Sequence, residues 1–249
     1  MNVPPAVTSG VGRAVGDVIA SAAGAELRHD PIEPRTGGPA GNAKLTGWLG
    51  LLLLAGFLAE CFTLLSLQAM LSAHILIGGV LIPLVVAKTG TTGWRIARYY
   101  AGAAAYRAAG PPPLLLRILG PLVVLTGLAV LGTGLALVPL GDASYDAIVT
   151  IAGQRIDALT LHKICFVLWL VATGAHVLAR TVPAFQLTVG GSGRGGRVPG
   201  RTARAAVVAV TLALSIGTGI VVSGLPTSWD NGSLHGFDDR GEGIAQPRG

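Results

Sequence analysis

Long apolar stretches dominate the chain. Five of them have the roughly 20 apolar residues that a helix needs to cross a bilayer core about 30 Å thick. They cover residues 45–66, 68–88, 114–140, 159–182 and 205–225. Only Ser66 and Gln68 mark the junction between the first two. The pattern predicts an all-α integral membrane bundle with five transmembrane helices.

Composition supports a membrane protein. Charged residues make up 12% of the 249 residues and hydrophobic residues 51%, whereas soluble globular domains average about 25% charged residues. The shortage of charge excludes a soluble fold with a solvated shell and also a disordered chain. Glycine occurs 37 times, which suits closely packed membrane helices. Cys61 and Cys165 lie inside apolar stretches, so we predict neither a disulfide framework nor a thiolate metal site.

Charges beside the spans predict their direction. Basic residues without acids flank the loops after the second and fourth spans; they are Lys88, Arg95, Arg98, Arg107, Arg117, Arg180, Arg194, Arg197, Arg201 and Arg204. The other flanks between and after the spans are acidic on balance. Because positive flanks stay in the cytoplasm, the N-terminus is predicted inside and the C-terminus outside, in a multi-pass protein of the cell membrane. Topology and anionic lipid account for the arginines, so no nucleic-acid partner is expected.

The segments outside the spans are rich in Pro and Gly. Residues 1–44 are predicted to be a mobile cytoplasmic tail, and 226–249 a flexible outer tail. Residues 189–204 have the composition of a flexible linker. The five-helix bundle therefore occupies 45–225.

A few polar residues lie at membrane depth, where they are costly and often functional. His74 follows Gln68 by six residues, and His162 follows Asp157 by five. Both spans enter from the outside, so the two imidazoles should lie at similar depth, about 5–10 Å below the outer surface. Two imidazoles facing each other across a bundle can bind a six-coordinate b-type haem. We predict His74 and His162 as axial ligands of the haem iron.

A third histidine extends the pattern. His176 follows His162 by fourteen residues, close to four helical turns, so the two share a face and stand about 21 Å apart. This spacing resembles the dihaem four-helix membrane cytochromes b and the ferric-reductase-like membrane proteins. The resemblance implies that two helices carry histidine pairs which hold two stacked haems. His162 and His176 match one helix, and His74 matches the first position of the other.

The chain departs from that family at the fourth position. Lys88 stands fourteen residues after His74, where the family has histidine. A neutral lysine could ligate an inner haem opposite His176, or Lys88 could be a topological anchor at the inner surface. Glu60, the one acid within a span, has three candidate roles. It could accept a hydrogen bond from an imidazole, accept a proton near a quinol pocket, or be protonated and bonded to a carbonyl.

The predicted function follows from the haem. We expect a subunit that transfers electrons between a quinone pool and a partner redox protein, with haem b as its cofactor (one or two copies) and membrane lipid around it. No catalytic residue and no flavin or nicotinamide fingerprint is predicted, because the glycine-rich stretch 190–196 opens no strand–helix unit. The alternative is a non-redox transporter or membrane anchor subunit.

Overall fold

The computed structural model describes residue 16 and residues 30–111, 114–151, 153–188, 198–227 and 229. Most of the predicted cytoplasmic tail, residues 189–197 of the predicted linker and most of the predicted outer tail lie outside these ranges.

Five long helices form the described part of the chain. They are α1 (Gly38–Thr63), α2 (Leu67–Tyr100), α4 (Leu114–Leu140), α5 (Ala158–Thr188) and α6 (Arg201–Ser223), with the short helix α3 (Ala104–Ala109) after α2. The long helices correspond one to one with the predicted apolar stretches. Their ends differ most at α2, which continues as a helix from Lys88 to Tyr100.

Four stretches of the described residues are long and apolar enough to cross a membrane. They are Gly38–Tyr100, Arg117–Tyr145, Ala158–Leu178 and Arg201–Ser223. The first is 63 residues long because it contains both α1 and α2. The chain therefore has the helices of a multi-pass membrane protein.

Helices α1 and α2 form an antiparallel hairpin. A single 3₁₀ turn at Leu64–Ser66 joins them, and the backbone of Met70 also leaves helical geometry, at φ −118° and ψ 16°. The Asn42 side-chain amide donates to the Thr91 carbonyl at 3.1 Å, so the start of α1 lies beside the end of α2. Large apolar side chains fill the seam between the two helices; those buried are Leu49, Leu53, Leu81, Leu84 and Val85.

The helices pack in a ring that sets the positions of the predicted ligands. Helix α1 packs against both α2 and α5, and α4 also packs against both α5 and α2. Helices α2 and α5 therefore occupy opposite corners of a four-helix bundle. Helix α6 packs mainly on α2 and also contacts α1. Because His74 belongs to α2 and His162 to α5, the two histidines approach the bundle core from opposite corners.

Two glycines allow α2 and α6 to approach closely. A Cβ atom on Gly79 would lie 2.9 Å from the Gly219 Cα, and a Cβ on Gly219 would lie 2.9 Å from the Leu76 carbonyl oxygen. Neither position has room for a side chain in this packing. Large apolar side chains elsewhere on α6 are exposed; they include Val210, Leu214, Ile220 and Val221. These side chains suit contact with lipid acyl chains.

The described residues are mostly helical, as predicted, but the loop between α4 and α5 departs from the all-α prediction. Residues between α4 and α5 form an antiparallel hairpin of β1 (Ala147–Ile151) and β2 (Gln154–Asp157). Four of the five residues of β1 are β-branched, as is Ile156 in β2, and such side chains favour extended backbone. Gly153 supplies the positive φ of 79° that the connecting turn needs. The strands are too short to be detected by a search for apolar stretches of about 20 residues.

A tryptophan ties together the end of the bundle nearest the β-hairpin. Trp229 is only 8% exposed. Its indole Nε1 donates to the Leu137 carbonyl at 3.0 Å, one of the last carbonyls of α4, which have no partner within the helix. Its ring meets Tyr145 edge-on at a centroid distance of 5.8 Å. The predicted flexible outer tail therefore includes at least one anchored residue.

The start of α5 carries an acid-sensitive cap. The Asp157 carboxylate accepts a hydrogen bond from the Thr160 backbone N–H at 2.6 Å, and this bond lowers the pKa of Asp157 from its ordinary value of 3.8. Removing an N-cap costs about 1 kcal/mol. We therefore expect Asp157→Ala to lower the free energy of unfolding of the detergent-solubilised protein by about that amount at pH 7, measured by thermal unfolding.

The pH dependence of this effect follows from the direction of the shift. A lowered pKa in the folded state means that the cap contributes fully above pH 3.8 and less as the pH falls below it. The stabilities of wild type and Asp157→Ala should therefore converge in acid. Asp146→Ala removes a carboxylate from the same loop between α4 and α5, away from the helix start, and serves as the control. A pH-independent difference between wild type and Asp157→Ala would contradict the assignment.

Candidate functional site

A pocket opens between the helices in the half of the bundle nearest the β-hairpin. Its free volume is about 100 Å³, and most of its lining is apolar. Both predicted ligands, His74 and His162, line it, as does Glu60. The structure thus brings the two histidines predicted at matched depth to one cavity.

His74 is held through one ring nitrogen. Its Nδ1 lies 2.9 Å from the Thr63 hydroxyl oxygen and 3.2 Å from Glu60 Oε1. Both partners lie near the end of α1, directly across the tight hairpin from His74. Since Nδ1 has two protein partners, Nε2 is the ring nitrogen that remains for a ligand.

His162 is held in the same way from the other hairpin. Its Nδ1 lies 3.0 Å from the Thr133 hydroxyl oxygen on α4. The ring also lies against Gly134, where a Cβ atom would come within 3.0 Å of the imidazole Cε1. The glycine therefore makes room for the ring, and Nε2 is again the nitrogen left for a ligand.

Glu60 takes a position that favours one of its three expected roles. Oε1 is 3.2 Å from the His74 Nδ1, as expected of a carboxyl group that accepts a hydrogen bond from a ligand imidazole. Within the described part of the chain, Oε2 is buried and has no hydrogen-bond partner. Gly78 lies alongside Glu60: a Cβ atom on Gly78 would be 3.5 Å from Oε1, which is an ordinary contact distance.

Aromatic rings form the pocket wall on the side of the bundle centre. Trp169 is 6% exposed and meets Phe57 edge-on at a centroid distance of 4.6 Å. Phe166 lies 6.1 Å from the same indole, and Gly127 leaves space beside it, with a Cβ position 3.6 Å from the ring. The wall packs densely and offers an apolar surface to a ligand.

The residues predicted for an inner site are arranged differently. The Lys88 amine donates to the Thr46 carbonyl at 2.6 Å, so it reaches across to α1, beside Gly50. The His176 Nδ1 is buried and has no hydrogen-bond partner among the described residues. Neither residue lines the pocket that holds His74 and His162.

Two arginines beyond this level make contacts of their own. Arg95 forms a two-pronged ion pair with Asp30, at 2.7 and 2.9 Å. The Arg98 guanidinium lies over the rings of Trp94 and Tyr106, at 5.6 and 5.7 Å from their centroids. Both arginines lie on the part of α2 that extends past Lys88.

Three residues of the site, Thr63, Thr133 and Gly134, were not predicted from the sequence. The symmetry of a helical hairpin could have identified them. In a tight antiparallel pair, residues equally distant from the turn become neighbours; Thr63 pairs with His74 in this way, just as Gly56 pairs with Leu81. Applied to α4 and α5, the same rule pairs Thr133 with His162 and Gly127 with Trp169.

Cys61 and Cys165 are free thiols. Across the ranges that the structure describes, no three His, Cys, Asp or Glu side chains form a group able to hold a metal ion. Comparisons of the chain with protein-family models, with curated proteins and with solved structures gave no match.

Proposed function

We propose that this chain is a haem b-binding electron-transfer subunit of the cell membrane. It crosses the bilayer five times, with α1 and α2 counted separately because they fold back on each other, and the basic flanks favour an N-terminus inside. It passes electrons between the quinone pool and a partner redox protein.

One observation carries the proposal. His74 and His162 enter the same pocket from opposite corners of a four-helix bundle, each with Nδ1 held by the protein. A haem iron with two axial histidines takes one imidazole on each face of the ring. Opposite corners of a bundle supply that arrangement without direct contact between the two helices.

The two histidines suit a haem iron, but the pocket is too small to hold a porphyrin without rearrangement. An apolar cavity of about 150 Å³ holds one benzene ring, so the 100 Å³ of this pocket is less than a porphyrin occupies. Haem binding therefore requires the lining side chains to move outward. Gly78 and Gly134 limit the movement needed, because neither has a side chain to displace.

Each residue has a stated part in this proposal. His74 and His162 would hold the haem iron, and Glu60, with Oε1 3.2 Å from the His74 Nδ1, would accept a hydrogen bond from that nitrogen. The Phe57, Phe166 and Trp169 rings exclude water from the site. A bound haem would supply a one-electron iron couple.

One haem is favoured over two. A second, inner haem would need His176 and Lys88 as ligands, but the Lys88 amine already donates to the Thr46 carbonyl. Binding of Lys88 to a haem iron would break that hydrogen bond and leave the Thr46 carbonyl without this donor. We therefore assign the cofactor to the His74–His162 level and regard Lys88 as a link between α1 and α2.

The visible spectrum of the purified full chain tests the proposal. After expression with supplementary haem, we expect the purified chain to show a Soret band. Reduction of the haem iron should give α and β bands, and oxidation with ferricyanide should remove them. Quantification should give about one haem per chain. A colourless preparation from haem-supplemented cells would overturn the proposal, because the ligand pair would then be without its cofactor.

The small pocket supports a second candidate, a quinol-binding site without haem. A volume of about 100 Å³ is close to that of a single ring, and two imidazole nitrogens could accept hydrogen bonds from the two hydroxyls of a quinol. A colourless protein that binds a short-chain quinol analogue, detected by quenching of tryptophan fluorescence, would favour this candidate.

A further inference from the structure

We infer that Thr63 and Thr133 are positioning residues that hold His74 and His162 as Nδ1–H tautomers, so that each Nε2 offers a lone pair to the ligand. The link to haem rests on the proposed function, but the tautomers themselves do not. The inference follows from where the two threonine protons must lie.

The Thr63 hydroxyl has one proton and two candidate acceptors. Its oxygen lies 2.6 Å from the Glu60 backbone carbonyl oxygen, a separation at which two oxygens repel unless a proton lies between them. Thr63 therefore donates to that carbonyl, and its lone pairs face His74. A hydrogen bond at 2.9 Å then requires the proton to be on the His74 Nδ1. Glu60 Oε1 lies 3.2 Å from the same nitrogen.

Thr133 repeats this arrangement on the other hairpin. Its hydroxyl donates to the Ala129 carbonyl at 2.7 Å, one turn earlier in α4. Its lone pairs accept from the His162 Nδ1–H at 3.0 Å. Two threonines on two different helices thus impose the same tautomer on the two histidines of one pocket.

The tautomers restrict the chemistry of the ligand. A neutral imidazole protonated at Nδ1 can only accept or coordinate through Nε2. The pocket therefore selects a Lewis acid such as haem iron, or a donor such as a quinol hydroxyl, over the carbonyl acceptors of an oxidised quinone. A histidine whose second nitrogen bonds to the protein is also the usual form of a metal ligand.

Nitrogen NMR of the full chain tests the tautomers without any cofactor. In ¹⁵N-histidine-labelled protein prepared free of haem in detergent, His74 and His162 should each show a protonated Nδ1 and an unprotonated Nε2. Assignment comes from His74→Gln and His162→Gln. Thr63→Val and Thr133→Val keep the side-chain shape and remove the hydroxyl acceptor. Because Glu60 Oε1 lies 3.2 Å from the same His74 nitrogen, Thr63→Val is combined with Glu60→Leu, and this double variant and Thr133→Val should each shift their own histidine towards the Nε2–H form. Thr63→Ser and Thr133→Ser should restore the wild-type signals.

Thr126 provides the matched control. It lies on α4 seven residues before Thr133 and donates to the Leu122 carbonyl at 2.8 Å in the same way, but it does not line the pocket. Thr126→Val should leave both histidine spectra unchanged. Wild-type protein with Nε2–H histidines, or valine variants with unchanged tautomers, would overturn the inference.

The haem-loaded protein gives a second measurement. Loss of a side chain that hydrogen-bonds to a metal-binding imidazole lowers metal affinity about 10- to 100-fold. We therefore expect Thr63→Val and Thr133→Val to weaken haem binding by about that factor and to raise the midpoint potential, with serine restoring both. A colourless wild type would remove the proposed function while leaving the NMR result to decide the tautomers. A coloured wild type whose valine variants keep full affinity and potential would remove the inference alone.

Discussion

Replacing His74 or His162 with alanine is expected to abolish the low-spin haem spectrum of this protein. Each substitution removes one of the two histidines that are proposed to hold the haem and that line the same pocket. We expect haem content to fall at least tenfold, measured as reduced-minus-oxidised absorbance per mole of purified chain. The Soret band that remains should be high-spin.

His176→Ala is the matched control because it removes an imidazole from the same helix, α5. His176 does not line the pocket, so one haem per chain and an unchanged spectrum are expected. The assignment of the ligands would be wrong if His176→Ala lost the haem while His162→Ala kept it. Equal loss in all three variants, with normal folding by circular dichroism, would favour a two-haem arrangement.

Gly219→Ala is expected to destabilise the bundle by about 1–3 kcal/mol, the usual cost of inserting a methyl group into a filled interface. The new Cβ would lie 2.7 Å from a methyl carbon of Val80 and 2.9 Å from the Leu76 carbonyl oxygen. Since α6 packs mainly on α2, the two helices would have to separate. Thermal unfolding in detergent, or the SDS concentration at half-unfolding, measures the effect.

Gly217→Ala is its matched control on the same helix. A Cβ atom at Gly217 would have no atom within 4 Å, and alanine favours helix over glycine by up to about 1 kcal/mol. Gly217→Ala should therefore be neutral or slightly stabilising. Similar destabilisation by both variants would mean that backbone flexibility, and not close packing, explains the glycines of α6.

The sequence predicted the long helices well because an apolar stretch of about 20 residues has few alternatives in a membrane. The predicted stretch 114–140 coincides with α4. At α2 the prediction ended at Lys88, where apolar residues stop, but helical hydrogen bonding needs no apolar side chain and continues to Tyr100. The β-hairpin was missed for a similar reason, since a search for bilayer-length stretches does not detect strands of four or five residues.

The site was predicted in part. Helical rise and span direction predicted similar depths for His74 and His162, and both line one pocket. Which residues bind their Nδ1 atoms depends on the register between neighbouring helices, and apolar periodicity does not contain that register. Thr63 and Thr133 therefore looked like ordinary polar residues at helix depth. The tight 3₁₀ turn at Leu64–Ser66 fixes the register of the first pair.

Trp229 has a consequence for the protein's architecture. Helix α6 packs against α2 and α1, whereas the indole that follows it is bonded to the Leu137 carbonyl of α4. The chain after α6 thus reaches α4, the neighbour of α2 in the ring, and links two helices that otherwise have little contact. A protein cut short before residue 229 would keep every membrane-crossing helix but lose that closure, leaving α6 secured from one side alone.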